Sequence, residues 1–162
     1  MRPIVSSHDD RYAMLAASGW APSLTDSDRD ILTKYLLTFQ IKDNAVLFNE
    51  GDEGDSMGIV VAGGLCVLKS GEDGVPHRIA DLPVGAAFGE MSLIDGGPRS
   101  AAVTANPEAT ILFLTRDNFS SLFQQYPIVS SRILIFIARA MSLRLRQTNE
   151  MLLEALDSRL ME

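Results

Sequence analysis

Cysteine is nearly absent. Cys66 is the single one in 162 residues, which excludes an internal disulfide framework and a cysteine-based zinc site. In its strand-like surroundings it reads as a small buried hydrophobe. Histidine is almost as scarce. His8 and His77 stand far apart without ligand spacing, so both read as surface residues and a metal-dependent enzyme is not expected. No nucleophile–base pair suited to hydrolysis is visible, and the chain reads as a non-enzyme. A basic surplus is lacking too: 14 Lys and Arg face 21 Asp and Glu, for a net charge of −7. Direct nucleic-acid binding is therefore not expected, because a nucleic-acid binder needs a cationic face to displace counterions. The most apolar stretch, 133–138, is too short to span a bilayer and runs into Arg139, Arg144 and Arg146. The N-terminus shows no apolar run, so the expectation is no secretory signal, no membrane partner and a cytoplasmic location.

What is present suits one ordinary domain with helical additions. A hydrophobic share of 46% supports a single core and argues against disorder. Residues 1–24 read as an arm or short helix. Thr25 followed three positions later by Asp28 offers capping-box chemistry, and Ile31, Leu32, Tyr35 and Leu36 fall at helical spacing, which predicts a helix over 25–36. Short runs of Val, Ile, Phe and Leu then alternate with Gly, Asp, Asn and Pro. They predict strands near 38–42, 45–49, 57–62, 65–69, 77–82, 101–105 and 110–115, the rhythm of a sandwich, jelly roll or barrel. After 114 the pattern is helical again. Asp117 is expected to cap a short helix, and Pro127 to sit in the first turn of a long one. That long helix, 128–162, carries an apolar stripe of Leu134, Ala138, Met141, Leu145, Leu152, Leu156 and Leu160, interrupted by Thr148 and Asn149. Such a stripe fits pairing with a second copy into a homodimer.

One segment, 85–101, breaks the strand rhythm. Gly89 permits close backbone approach. The residues after Glu90 can form a helical turn. Arg99 provides a charged fork for phosphate oxygens, while Ser100 adds a hydroxyl and an N–H. Glu90 cannot bind phosphate but can accept from a sugar hydroxyl. An acid for sugar beside an arginine for phosphate suits a sugar phosphate. The bland alternative is a surface salt bridge between Glu90 and Arg99, which stabilises little.

Phe88-Gly89-Glu90, Leu93 and Pro98-Arg99-Ser100-Ala101 resemble the phosphate-binding cassette of the cyclic-nucleotide-binding domain family. The resemblance spans about 25–150, with the early glycine turn at Asn49-Glu50-Gly51-Asp52. It implies a mainly β fold with flanking helices: an eight-stranded, jelly-roll-like β-roll between N-terminal helices and a long C-terminal one. The binding unit would be 25–127, and 128–162 its lid and dimer helix. Gly58 departs from the family, where a large aromatic is common. Carried over residue by residue, the resemblance assigns Glu90, with the Gly89 N–H nearby, to the ribose 2′-hydroxyl. Arg99, Ser100 and Ala101 would hold the cyclic phosphate. Phe88, Met91, Ser92 and Leu93 would support the cassette, Ser92 by capping its short turn.

The run Leu145 to Glu150 is similar to the adenine-contacting stretch of catabolite-activator-type members, which makes Thr148 and Asn149 base-contact candidates. With Ser at position 100, the resemblance leans to cAMP over cGMP, with no metal. The implied function is a cAMP-preferring sensor that moves its C-terminal helix and acts on an unknown effector protein. Two alternatives stay open. One is the sensor part of a Crp/Fnr-type transcription regulator, for whose helix-turn-helix no residues follow Glu162. The other is an interaction module that binds no small molecule.

Overall fold

The computed structural model describes residues 1–160, with side chains described as far as Asp157. The 1–24 arm is more ordered than its weak pattern suggests. A two-residue strand, β1 (Arg2–Pro3), precedes α1 (His8–Ser18), whose N-terminus is closed by a Ser7–Asp10 capping box. Helix α2 (Asp26–Thr33) starts at the expected Thr25–Asp28 box. It ends short of 36 because the chain leaves for β2 (Leu37–Ile41).

The remaining strands are β3 (Val46–Phe48), β4 (Ser56–Ala62), β5 (Leu65–Ser70), β6 (Pro76–Leu82), β7 (Ala87–Phe88), β8 (Ala102–Ala105) and β9 (Ala109–Thr115). They form two antiparallel sheets, in the orders β1-β2-β9-β4-β7 and β3-β8-β5-β6. Every strand read from the sequence is there. The two beyond that reading, β1 and β7, are two residues each, too short to show an alternation. The architecture is the mainly β roll with flanking helices expected above.

The period of two along β9 divides the interior. Ile111 and Phe113 point between the sheets with Ile41, Val60, Phe88 and Val103. Leu112 and Leu114 face the helices, in a cluster with Leu15, Trp20, Leu32, Leu93, Leu122, Ile133 and Ile137. Cys66 is buried beside the Thr104 hydroxyl. His77 is exposed, whereas His8 is half-buried with Nε2 3.1 Å from the Asp30 carbonyl. The departure at Gly58 has a steric reason: a Cβ there would lie 2.3 Å from the Phe88 ring. In this chain Phe88 fills the space beside that position.

Helix α3 (Glu90–Asp95) is the turn inside the cassette, and α4 (Arg116–Gln125) follows β9. Thr115, not Asp117, caps α4: its side chain accepts from the Asn118 N–H. Helix α5 (Pro127–Leu160) is the long one. Its buried contacts are Val129, Ile133 and Ile137, and of the apolar stripe noted above Met141 packs against the same cluster. On that stripe Leu134 and Met141 are half-buried, while Leu145, Leu152 and Leu156 are at least 50% exposed. The Leu160 side chain lies outside the described residues.

Arg132 ties α5 to α2 through a 2.6 Å ion pair with Asp28, whose side chain is 7% exposed. Burial pushes the Asp28 carboxyl up, and hydrogen bonds from Thr25 and Arg132 more than reverse this, so it sits below 3.8. A depressed folded pKa stabilises above the unfolded value, and the contribution is lost as pH falls through the folded one. Asp28→Ala is expected to cost about 1–2 kcal/mol at neutral pH, since the Thr25 N–H loses its acceptor in the capping box and the tie to the half-exposed Arg132 is lost. Urea unfolding should show that difference narrowing as the pH falls below 3.8.

Candidate functional site

The cassette begins where β7 ends against β4. Gly89 takes φ +72°, which turns the chain from β7 into α3. A Cβ on Gly89 would lie 2.4 Å from Arg99 Nη1 and 2.9 Å from the Ser56 carbonyl. Only glycine fits both the conformation and the space. A second left-handed glycine, Gly96, closes α3, its N–H donating to the Ser92 carbonyl at 3.1 Å. The chain then returns through Arg99 to β8.

Arg99 is 4% exposed. Its Nη1 donates to the carbonyls of Ser56 (2.6 Å) and Gly89 (3.3 Å), and Nη2 donates to Ser56 Oγ at 3.1 Å. The guanidinium lies over the Phe48 ring, 3.8 Å from its centroid. Its Nε–H is buried without a partner. A guanidinium has five N–H donors, so the Nε/Nη2 edge keeps capacity for an acceptor with two oxygens. Gly54 lies against this edge, where a Cβ would stand 3.2 Å from Nε. Burial pushes the Arg99 pKa down, opposed by Asp55, Asp52 and Glu90, but arginine keeps its charge in proteins. A buried cation held by neutral carbonyls and a hydroxyl, with an idle Nε–H, fits an anionic ligand such as a phosphate ester.

Glu90 is also buried, at 5% exposure. It does not form a surface pair with Arg99. Its Oε1 accepts from Arg144 Nη1 of α5 at 2.6 Å. A cavity of about 190 Å³ opens there, lined by Glu90, Arg144, Trp20 and Phe136 among others. A larger one, about 680 Å³, lies by Gly54, Pro98 and Arg116 and is rimmed by Glu53, Asp55 and Asp117. Arg99 lines neither cavity.

The other sequence candidates divide. Phe88 and Leu93 are buried, in the inter-sheet and helix-facing clusters respectively, so the cassette is rooted in both. Ser92 is buried, but it does not cap α3: the N-cap is Gly89, with no side-chain cap bond. Instead Ser92 fills the space by Gly54, where a Cβ would meet Ser92 Cβ at 2.3 Å. Met91 and Ser100 are exposed and Ala101 half-buried. The Ser100 carbonyl accepts from Lys69 Nζ at 2.6 Å. Thr148 and Asn149 stand exposed on α5, where Thr148 Oγ1 donates to the Arg144 carbonyl at 2.9 Å. Within one protomer it is Arg144, one turn earlier, that meets the cassette.

Sequence reasoning missed Arg144, Ser56, Phe48 and Lys69. Arg144 carried one usable signal, its place one helical turn before Thr148. The others gave none, since each acts across the fold.

Comparison with known proteins bears on the fold that carries this geometry. The model of the cyclic nucleotide-binding domain matches residues 38–126. A "CRP-like cAMP-activated global transcriptional regulator" of Mycobacterium tuberculosis is 29% identical over 136 residues, which are 84% of this chain and 59% of that protein. The chain thus spans about three-fifths of the length of this curated relative. The N-terminal domain of a transcriptional regulator from Streptomyces coelicolor superimposes with a TM-score of 0.68 at 30% identity, over 80% of this chain and 87% of that one. A cyclic nucleotide-binding domain from Methylobacillus flagellatus shares the fold with a TM-score of 0.81 at 24% identity, over 91% of this chain and 85% of that one. Among the described residues no helix is long and apolar enough to cross a membrane.

Proposed function

This chain belongs to the cyclic nucleotide-binding domain family, and from that membership we propose that it is a cAMP-preferring sensor which reports binding through α5. The observation that carries the reading is Arg99: a buried guanidinium with an unpartnered Nε–H, inside a cassette whose acid, Glu90, is buried close by. In this reading the cyclic phosphate takes the Nε/Nη2 edge of Arg99, with Ser100 and Ala101 completing the cradle. The ribose 2′-hydroxyl donates to Glu90, near the Gly89 N–H.

Glu90 then serves two partners, ribose and Arg144, so ligand binding and the placement of α5 share one carboxylate. Leu93, packed with Ile133 and Ile137 in one cluster, gives a second path from cassette to helix. Ligand favours whichever arrangement of cassette and helix it binds better, and shifts the population by no more than that difference. Thr148 and Asn149 are the base contacts of this reading, from the chain's own helix or from a second copy. The exposed Leu145, Leu152 and Leu156 favour pairing of two α5 helices in a homodimer. The sensor is a cytoplasmic non-enzyme acting on an effector protein. The name of the Mycobacterium tuberculosis relative favours a second reading, the sensing part of a transcription regulator.

Isothermal titration with cAMP, cGMP and AMP tests the ligand. cAMP is expected to bind tightest, cGMP more weakly, and AMP at least tenfold more weakly. AMP binding as tight as cAMP contradicts a pocket shaped for the cyclic ester.

A further inference from the structure

The anion cradle is braced from outside by a lysine that belongs to another strand. Lys69, near the end of β5, donates from Nζ to the Ser100 carbonyl at 2.6 Å and to Glu50 Oε1 at 2.5 Å. Glu50 is itself fixed, because its Oε2 accepts the Ser70 N–H at 3.2 Å. The neighbouring peptide is tied as well: the Gly51 N–H donates to the Arg99 carbonyl at 2.9 Å, and the Arg99 N–H to the Asp52 carbonyl at 2.8 Å. The turn around 49–52 and the end of β5 therefore grip the return limb of the cassette at both its carbonyls.

A peptide unit is planar and trans, with its C=O and N–H pointing in opposite directions. Whatever holds the Ser100 carbonyl thus also aims the Ala101 N–H. Likewise the hold on the Arg99 carbonyl aims the Ser100 N–H. These are the two amides that the proposed function gives to the cyclic phosphate. We infer that Lys69, steadied by Glu50, is a positioning residue of the anion cradle, which orients the Ala101 N–H toward the ligand's phosphate by holding the Ser100 carbonyl. This inference rests on the cyclic-nucleotide reading.

Lys69 has little to do with holding the fold. Its side chain is 46% exposed and that of Glu50 is 34% exposed, and ion pairs in such positions stabilise weakly. Its ammonium is engaged by Glu50 and a carbonyl, so it acts through the peptide it holds rather than as a free charge.

The test is cAMP titration of the wild type, Lys69→Met and Lys69→Arg, with the ligand-free melting temperature of each and the Ala101 amide resonance by NMR. Lys69→Met is expected to weaken cAMP binding about tenfold, the loss of one charge-assisted bond's worth of orientation. Its ligand-free melting temperature should stay within a few degrees of wild type. Arginine should restore most of the affinity. The Ala101 amide should move strongly on cAMP addition in the wild type and weakly in Lys69→Met. Wild-type binding with an equally tight Lys69→Met overturns the inference. So does a loss of affinity that arginine does not rescue and that comes with a comparable fall in ligand-free stability. A wild type that binds no cyclic nucleotide sinks the functional reading instead.

Discussion

Arg99→Ala is expected to weaken cAMP binding by about two to three and a half orders of magnitude. Removing one partner of a buried charge pair typically costs ~3–5 kcal/mol, and each 1.4 kcal/mol is a decade of affinity. The folded protein itself should tolerate the change better than its burial suggests. Arg99 does hold Ser56 and Gly89, and those bonds are lost. Yet the wild type also keeps a buried cation with an unpartnered Nε–H and no carboxylate bonded to it, a cost that the variant escapes. The two effects oppose each other, so the ligand-free melting temperature should change by only a few degrees. Arg99→Lys keeps the charge but not the fork, and should fall between wild type and alanine. Calorimetry showing unchanged cAMP affinity in Arg99→Ala would remove Arg99 from the site.

The second large effect concerns the sugar. Wild-type protein is expected to prefer cAMP over 2′-deoxy-cAMP by about 10- to 150-fold. That range corresponds to the ~1.5–3 kcal/mol of a hydrogen bond to a charged group. In Glu90→Ala the preference should collapse to about two- to threefold, because neither ligand then finds the carboxylate. Pairing a ligand deletion with a protein deletion isolates the one contact, as a double-mutant cycle does. The same variant also releases Arg144. Trp20, the chain's single tryptophan, packs edge-on against Phe136 of α5 with centroids 5.3 Å apart. Its fluorescence response to cAMP should therefore shrink as the helix loses its tie to the cassette. Equal discrimination in wild type and Glu90→Ala would place the ribose elsewhere.

Much of this architecture was legible in the residues, for reasons that can be named. Strand β9 announces itself as a run of Thr, Ile, Leu, Phe and Leu between an Asn-Pro turn and a helix, and both of its faces prove buried. The capping box of α2 is local chemistry, three residues apart, and is found where expected. The cassette was legible because several residue types stand at fixed offsets, and its turn at Gly89 and bend after Gly96 fold as that spacing implies.

What stayed hidden depends on long-range placement. Which arginine of α5 meets Glu90 is decided by the rotation of the helix. That rotation is set by Val129, Ile133 and Ile137 against the domain, a face distinct from the more conspicuous stripe through Leu145 and Leu152. The Phe48 platform beneath Arg99 needs the pairing of β3 with β8, which no local pattern encodes. Thr115 took the cap from Asp117 because it closes β9 in extended backbone, which leaves its hydroxyl placed to accept from the Asn118 N–H, while Asp117 already lies in the first turn.

A crystal structure of the protein grown with cAMP tests the central claim most directly. The account predicts one cyclic nucleotide per chain, two phosphate oxygens within hydrogen-bond distance of the Arg99 Nε/Nη2 edge, and the 2′-hydroxyl on the Glu90 carboxylate. Nucleotide bound away from these groups, or an Arg99 that keeps its Nε–H against protein alone while ligand sits elsewhere, would contradict it.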